Sequence, residues 1–221
     1  MIYHVYSTYK PKDPNTARRM RLAQITWSKQ PWEEIPITDD EVRCYRDHMG
    51  QVPYVRDLIA KGVAGKKPED IIVFTNSDIC VAEACSFKVV MAFQSIDAAY
   101  CFRRDFHKFT EPIPDDQIKR GYPYCGSDFY AFRVGWWLEN GPDFPDMLLG
   151  REAWDSVLRI LIEMTHPKQN VTLHNLIYHE RHASVWENPQ NRRRIPSQLL
   201  NISVARDWML SFGHNPRSIG I

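Results

Sequence analysis

The five cysteines of this 221-residue chain form no CxxC pair and sit at no zinc-ligand spacing, which argues against a zinc module. An odd count in mostly apolar surroundings reads instead as reduced, buried thiols in an intracellular protein. Two glycosylation triplets, at Asn170 and Asn201, point weakly the other way. No apolar run approaches the ~18 residues that a membrane-spanning helix needs. The start, "MIYHVYSTYK", lacks the basic and apolar character of a signal peptide, so the expected location is cytoplasmic. A formal net charge of +1 gives no global field for nucleic acid or membrane. Internal repeats, low-complexity tracts and composition shifts that would mark a linker are also absent.

With 43% hydrophobic and 25% charged residues, the chain can bury a substantial core. Strand-like "IYHVYSTY" (2–9), "IIVFT" (71–75) and "AAYCFRRDF" (98–106) alternate with helical stretches in the first half. That alternation predicts an α/β fold on one mixed, mainly parallel sheet flanked by helices. One domain over 1–221 is expected, with 1–106 as a nucleotide-binding half and 107–221 as an acceptor and metal-completing half. Asn15 or Thr16 is the expected cap of a helix over 17–29, "TDDEVRCYRD" (38–47) a possible helix start, and Pro53 the start of the next helix. A long polar loop is expected over 107–125, a strand over 127–137 and a helix over 151–164. Residues 171–186 suit either a strand or a helix.

The chemistry begins at "IIVFTNSDICV" (71–81), where an apolar strand runs into Asn76, Ser77 and Asp78. In open α/β sheets ligands bind beyond the carboxyl ends of strands, so Asp78 is either a turn former or a ligand. Four segments offer it partners. "FRRDF" carries Arg104 and Asp105, which could form a surface ion pair or meet a phosphate. "GSDFYAF" places Asp128 before alternating aromatics. In "LLGREAWDSVLRIL", Glu152, Asp155 and Arg159 stand three and four apart, on the helix face opposite a stripe containing Trp154. "YHERHASVW" sets His179 and His182 three residues apart, a spacing open to metal binding.

Taken in order, NSDI, the Arg-Arg-Asp after a strand, GSDFYAF, LLGREAWDSVL and HERH resemble a group of small glycosyltransferase-like proteins. These are nucleotide-sugar transferases of the GT-A fold, and the resemblance covers roughly residues 70 to 186. It implies a donor diphosphate bridged by Mn²⁺ or Mg²⁺ on Asp78, with Asn76 in place of the first acid and His182 or His179 completing the site. It further implies a donor nucleotide held near Ser7 and Tyr9, with Arg104 and Asp105 nearby. Asp155, then Glu152, are the implied base candidates for an inverting reaction, and Asp128 and Trp154 the acceptor contacts. The acceptor hydroxyl belongs to a glycan, a protein, a small molecule or a modified nucleic-acid base; the basic "NRRRIP" tract (191–196) is the one hint of the last.

Two departures from the pattern, Asn76 for an acid and Ala153 where some members have a second acid, leave room for other functions. One is a non-catalytic module binding nucleotide or sugar. The other is a metal-dependent phosphoester hydrolase using Asp78, His179 and His182.

Overall fold

In the computed structural model, which describes residues 1–11, 13–48, 50–182 and 195–221, strand β1 (Ile2–Thr8) is buried on both faces. Parallel strands acquire this pattern when neighbours and helices cover them from every side. Its neighbours are β2 (Glu33–Thr38) and β5 (Ile71–Thr75), both parallel to it. Strand β8 (Tyr122–Arg133) lies antiparallel between β5 and β7 (Ala98–Phe106). The order closes with β10 (Ile177–Glu180), parallel to β7, and β6 (Cys80–Val81), antiparallel to β10. The eight-stranded sheet therefore runs β2-β1-β5-β8-β7-β10-β6, with β9 (Thr172–Leu173) pairing on β7. This is the α/β class and the single mixed, mainly parallel sheet expected from the sequence.

Helix α1 (Pro14–Trp27) is capped by Asp13, whose carboxylate accepts from the backbone N–H groups of Asn15 and Thr16. The cap is thus Asp13 rather than Asn15 or Thr16, because a carboxylate one residue before Pro14 reaches both free donors of the first turn. At the other end, fully buried Trp27 donates its indole N–H to the Ile79 carbonyl at 2.8 Å, which pins the chain just after Asp78. His4 lies among Tyr6, Trp27 and Trp32 and bonds Thr75 at 2.8 Å. Burial lowers its pKa to about 3, so it is a neutral core residue.

Other elements depart from the sequence-based expectation for identifiable reasons. The stretch 38–47 makes no helix, because the Glu41 carboxylate folds back onto the Thr38 N–H and hydroxyl. The chain then enters a hairpin of β3 (Cys44–Asp47) and β4 (Gly50–Pro53), so Pro53 ends a strand instead of opening α2 (Val55–Val63). The expected strand 127–137 stops at Arg133. Carbonyls of Asp70 and Pro68 accept from Val134 and Gly135, which supplies partners for the first turn of α5 (Val134–Asn140).

The loop at 107–125 contains a short helix, α4 (Asp115–Ile118), and gives way to β8 at Tyr122. Asp115 accepts from the Glu83 and Ala84 N–H groups and so ties this loop to the entry of α3 (Cys85–Ala92). Helix α6 (Trp154–Thr165) starts after Ala153, whose φ is 77°, so Glu152 precedes the helix and shares no helical face with Asp155 and Arg159. The region 171–182 resolves into β9, β10 and loop, while 183–194, and with them most of the basic tract, lie outside the described residues.

Helix α7 (Pro196–Ser211) packs beside α6, and its buried Asn201 exchanges hydrogen bonds with Leu148, so that triplet offers no exposed amide. Cys80, Cys85 and Cys101 are buried as expected, but Cys125 is exposed. Among the described residues, no helix is long and apolar enough to cross a membrane.

Helix α2 meets β1 through Gly62, where an added Cβ would lie 2.5 Å from Val5 Cγ2. Gly62→Ala should therefore cost about 1–3 kcal/mol through overpacking, more than the ~1 kcal/mol that helix propensity returns. A thermal melt should show a lower midpoint, and an unchanged or higher one would refute this contact.

Candidate active site

Strands β1, β5, β7 and β10 point the same way, so their carboxyl ends share one rim of the sheet. The amino end of β8 reaches the same rim because it runs against its neighbours. The register sets His179 opposite Asp105 on β10 and β7, and Thr75 opposite Phe129, which brings Asn76 to Asp128. The β6–β10 pairing places Tyr178 opposite Cys80 and so folds Asp78 back beside His179.

Asp78 Oδ2 lies 3.3 Å from His179 Nε2, 3.5 Å from His182 Nε2 and 3.8 Å from Arg19 Nε. One ligand atom from each of Asp78, His179 and His182 fits within a group 4.8 Å across. Two ligands bound at about 2.1 Å with an angle of about 90–109° stand about 3.0–3.4 Å apart, so this spacing suits a shared cation. Two imidazoles beside one carboxylate favour Mn²⁺ or a softer metal over Mg²⁺, which prefers oxygen. Both histidines that the sequence offered belong to this group of potential ligands.

A chain of charged contacts continues from there, its first link an ion-pair contact and the rest hydrogen bonds. His179 Nδ1 lies 3.6 Å from Asp105 Oδ1, and Arg103 Nε donates to that same oxygen at 2.9 Å. Arg103 Nη1 donates to Asp128 Oδ2 at 2.8 Å, and Asn76 Nδ2 donates to Asp128 Oδ1 at 2.7 Å. Burial would raise Asp78, yet His179 and His182 outweigh it and hold the carboxyl well below its usual range. Burial likewise acts to lower His179, but Asp78 and Asp105 lift it to about 9. Asp78 and His179 thus form an ion pair, and a cation bound by these ligands would displace the imidazole proton.

Asp155 behaves oppositely. Burial and the neighbouring Asp128 raise it to about 6, and the N–H groups of Ser156 and Ser127 offset only part of that. A carboxylate with this pKa is suited to accept a proton near neutrality. Gly126 keeps room for it: a Cβ there would meet Tyr124 Cε1 at 2.4 Å and Asp155 Oδ2 at 3.1 Å.

The remaining candidates divide. Tyr9 is 47% exposed just beyond β1, where burial and nearby Asp78 raise its pKa, while Ser7 is buried near the end of β1. Glu152 accepts from Gln198 Nε2 at 2.6 Å, which ties it to α7. Trp154 is only 3% exposed and packs edge-on against Phe74, so it supports the core and presents no face to an acceptor. Arg104 is separated from Asp105, with Nε donating to Asn175 at 3.3 Å on a different surface. Two residues that sequence reasoning missed take part instead. Arg103 shares strand parity with Asp105, a signal already present in "FRRDF". Arg19 reaches Asp78 from α1, a contact that only tertiary packing reveals.

No protein-family model and no curated protein matches the chain. Among solved structures it is similar to 4-diphosphocytidyl-2C-methyl-D-erythritol synthase from Anaerococcus prevotii, with 11% identity over 78% of this chain and 88% of the other and a TM-score of 0.45. It is also similar to TarS 1-349 of S. aureus, with 12% identity over 96% and 72% and a TM-score of 0.45. A third similarity is to mannose-6-phosphate isomerase from Helicobacter pylori, with 11% identity over 82% and 98% and a TM-score of 0.38. Likeness at this level assigns no activity.

The raised Asp155 carries a linkage consequence. Its folded pKa of about 6 exceeds the ordinary 3.8, so the folded state binds the proton more tightly than the unfolded one. Its contribution to stability therefore falls as pH rises through that window, by on the order of 3 kcal/mol. Asp155→Asn, which keeps an acceptor for the two N–H groups, should raise the melting temperature by several degrees at pH 7.5 and hardly at all at pH 4. Equal shifts at both pH values would contradict this account.

Proposed function

We propose that the protein is a metal-dependent glycosyltransferase of GT-A-like fold that moves a sugar from a nucleotide-sugar donor to a hydroxyl acceptor. The observation that carries this reading is the Asp78–His179–His182 group on the carboxyl rim, joined through Asp105, Arg103 and Asp128 to the vicinity of a carboxylate poised near neutrality. The five motifs that resemble the nucleotide-sugar transferases converge on that rim.

Asp78, His179 and His182 would hold Mn²⁺, which supplies Lewis-acid neutralisation of a departing diphosphate. Arg19 stands beside Asp78 and adds positive charge where that anion would develop. Tyr9, exposed next to Ser77, offers a ring for a nucleobase. Asp155 accepts the proton of the attacking acceptor hydroxyl. Asn76 and Arg103 hold Asp128, whose charge keeps Asp155 basic. Arg103 and Asp105 act through their neighbours, and we regard them as positioning residues.

One observation keeps a second reading in play. Two imidazoles and a carboxylate also suit a metal that activates water, the requirement of a phosphoester hydrolase.

Thermal melts with nucleoside diphosphates and nucleotide sugars, each with and without Mn²⁺, separate the two. At about 100 times its dissociation constant a donor should add ~2.7 kcal/mol and raise the midpoint by several degrees only when Mn²⁺ is present. Asp78→Ala should erase that response while the protein stays folded. A folded wild type that responds to no nucleotide, yet cleaves a phosphoester with Mn²⁺, would replace the transferase with the hydrolase.

A further inference from the structure

A pocket of about 460 Å³ opens between the amino end of β8, strand β7, helix α6 and the loop at 174–175, and shares Arg103 with the chain of contacts around Asp105 and Asp128. Arg103, Arg104 and Arg159 line it together with Phe102 and Tyr124, and none of its lining residues is acidic. Arg103 already serves Asp105 and Asp128, so its charge is spent on the site wall. The other two arginines are less committed. Arg104 donates Nε to Asn175 at 3.3 Å, and among the described residues no carboxylate pairs with it. Arg159 Nη1 stands 3.6 Å from Glu163 Oε1, beyond hydrogen-bond reach, and that oxygen already accepts from the Tyr100 hydroxyl at 2.6 Å.

Two further features shape the walls of the pocket. Asn175 adopts a left-handed φ of 54°, which asparagine tolerates, and its side-chain Oδ1 accepts from Arg104 Nε and orients it. The Tyr124 ring stacks on Arg103 at 3.7 Å and forms a wall one residue from Cys125 and two from Gly126, against which the Asp155 carboxylate rests. Asp155 lies just behind this wall, outside the pocket's lining, and the volume suffices for a sugar-sized molecule.

We propose that this pocket is the acceptor subsite and that it selects an acceptor bearing an anionic group, a phosphate or a carboxylate, gripped by Arg104 and Arg159. The assignment of the pocket to the acceptor rests on the transferase reading. Planar guanidinium groups grip either anion in bidentate fashion, and Phe102 and Tyr124 supply ring faces for the sugar or other scaffold that carries it. Arg104 thus remains an anion reader, as its sequence context implied, but on the acceptor and away from the donor's diphosphate.

Equilibrium binding of glucose 6-phosphate, glucuronate and glucose at matched ionic strength tests this. At least one of the two anions should bind about tenfold more tightly than glucose, and which one does so identifies the group. Arg104→Ala and Arg159→Ala should each weaken that anion about tenfold. Arg104→Lys should recover part of the loss and guards against misfolding of the alanine variant. Asp78→Ala should leave anion binding intact while losing the Mn²⁺-dependent nucleotide response. Glucose binding as tightly as both anions, arginine variants without effect, or loss of anion binding in Asp78→Ala would each overturn the proposal. The two readings fail separately: lost anion binding with an intact nucleotide response removes only the acceptor assignment, and the converse removes the transferase.

Discussion

The crowding of acids on one sheet rim governs this structure. Because β1, β5, β7 and β10 share a direction, Asp78, Asp105, Asp128, Asp155 and Glu180 all gather near the same edge. Like charges so close raise one another's pKa values unless cations intervene. The chain provides them unevenly. Arg18 bonds Glu180, Arg103 bridges Asp105 and Asp128, and Arg19, His179 and His182 surround Asp78. Asp78, Asp105 and Glu180 are held below the usual carboxylate range, whereas Asp155, which feels Arg103 only weakly, is pushed upward by burial and Asp128. The division of labour follows from that imbalance: Asp78, Asp105 and Glu180 stay ionised beside their cations, while Asp155 can take up a proton.

The cations that balance the rim also hold the fold together around it. Arg18 reaches from α1 to both Glu180 and the Phe109 carbonyl, so one side chain joins the first helix, β10 and the loop after β7. Trp27 and Gln30 fasten the end of α1 to the segment leading into α3 through bonds to Ile79, Ala82 and Glu83. Asp78 therefore sits on a backbone braced from both sides, and its carboxylate is presented to the histidines without depending on a flexible loop.

Much of this was legible in the sequence because it obeys short-range rules. The buried run at 71–75 and the apolar stripe of α6 are periodicities, and the ends of parallel strands are where ligand residues collect. What escaped was non-local. The start of α6 depends on Ala153 adopting a left-handed conformation, which moves Glu152 off the helix and towards Gln198 of α7. The end of β8 depends on carbonyls some 65 residues earlier in the chain. Arg103 and Arg104 are chemically identical neighbours that both line the pocket, and only strand parity with the β-bulges near Phe102 decides which of them also reaches the acids. Trp154 shows the reverse error, an aromatic beside a candidate base that reads as a binding platform until its burial is known.

The same geometry changes the meaning of the two departures that made a non-catalytic module plausible. Asn76 stands where an acid would be expected, but its amide donates to Asp128 at 2.7 Å. An aspartate there would set carboxylate against carboxylate and deprive Asp128 of a donor, so asparagine is the residue that this arrangement of acids accommodates. Ala153 is buried at 5% exposure in a strained turn, where an acid would be left in apolar surroundings beside Trp154. Neither substitution removes a ligand from the Asp78 group, because that group draws its second and third donors from the loop after β10 and from β10 itself. With two imidazoles beside Asp78, the proposed cation site would not need an acid at position 76, and an amide there holds Asp128, whose charge raises Asp155.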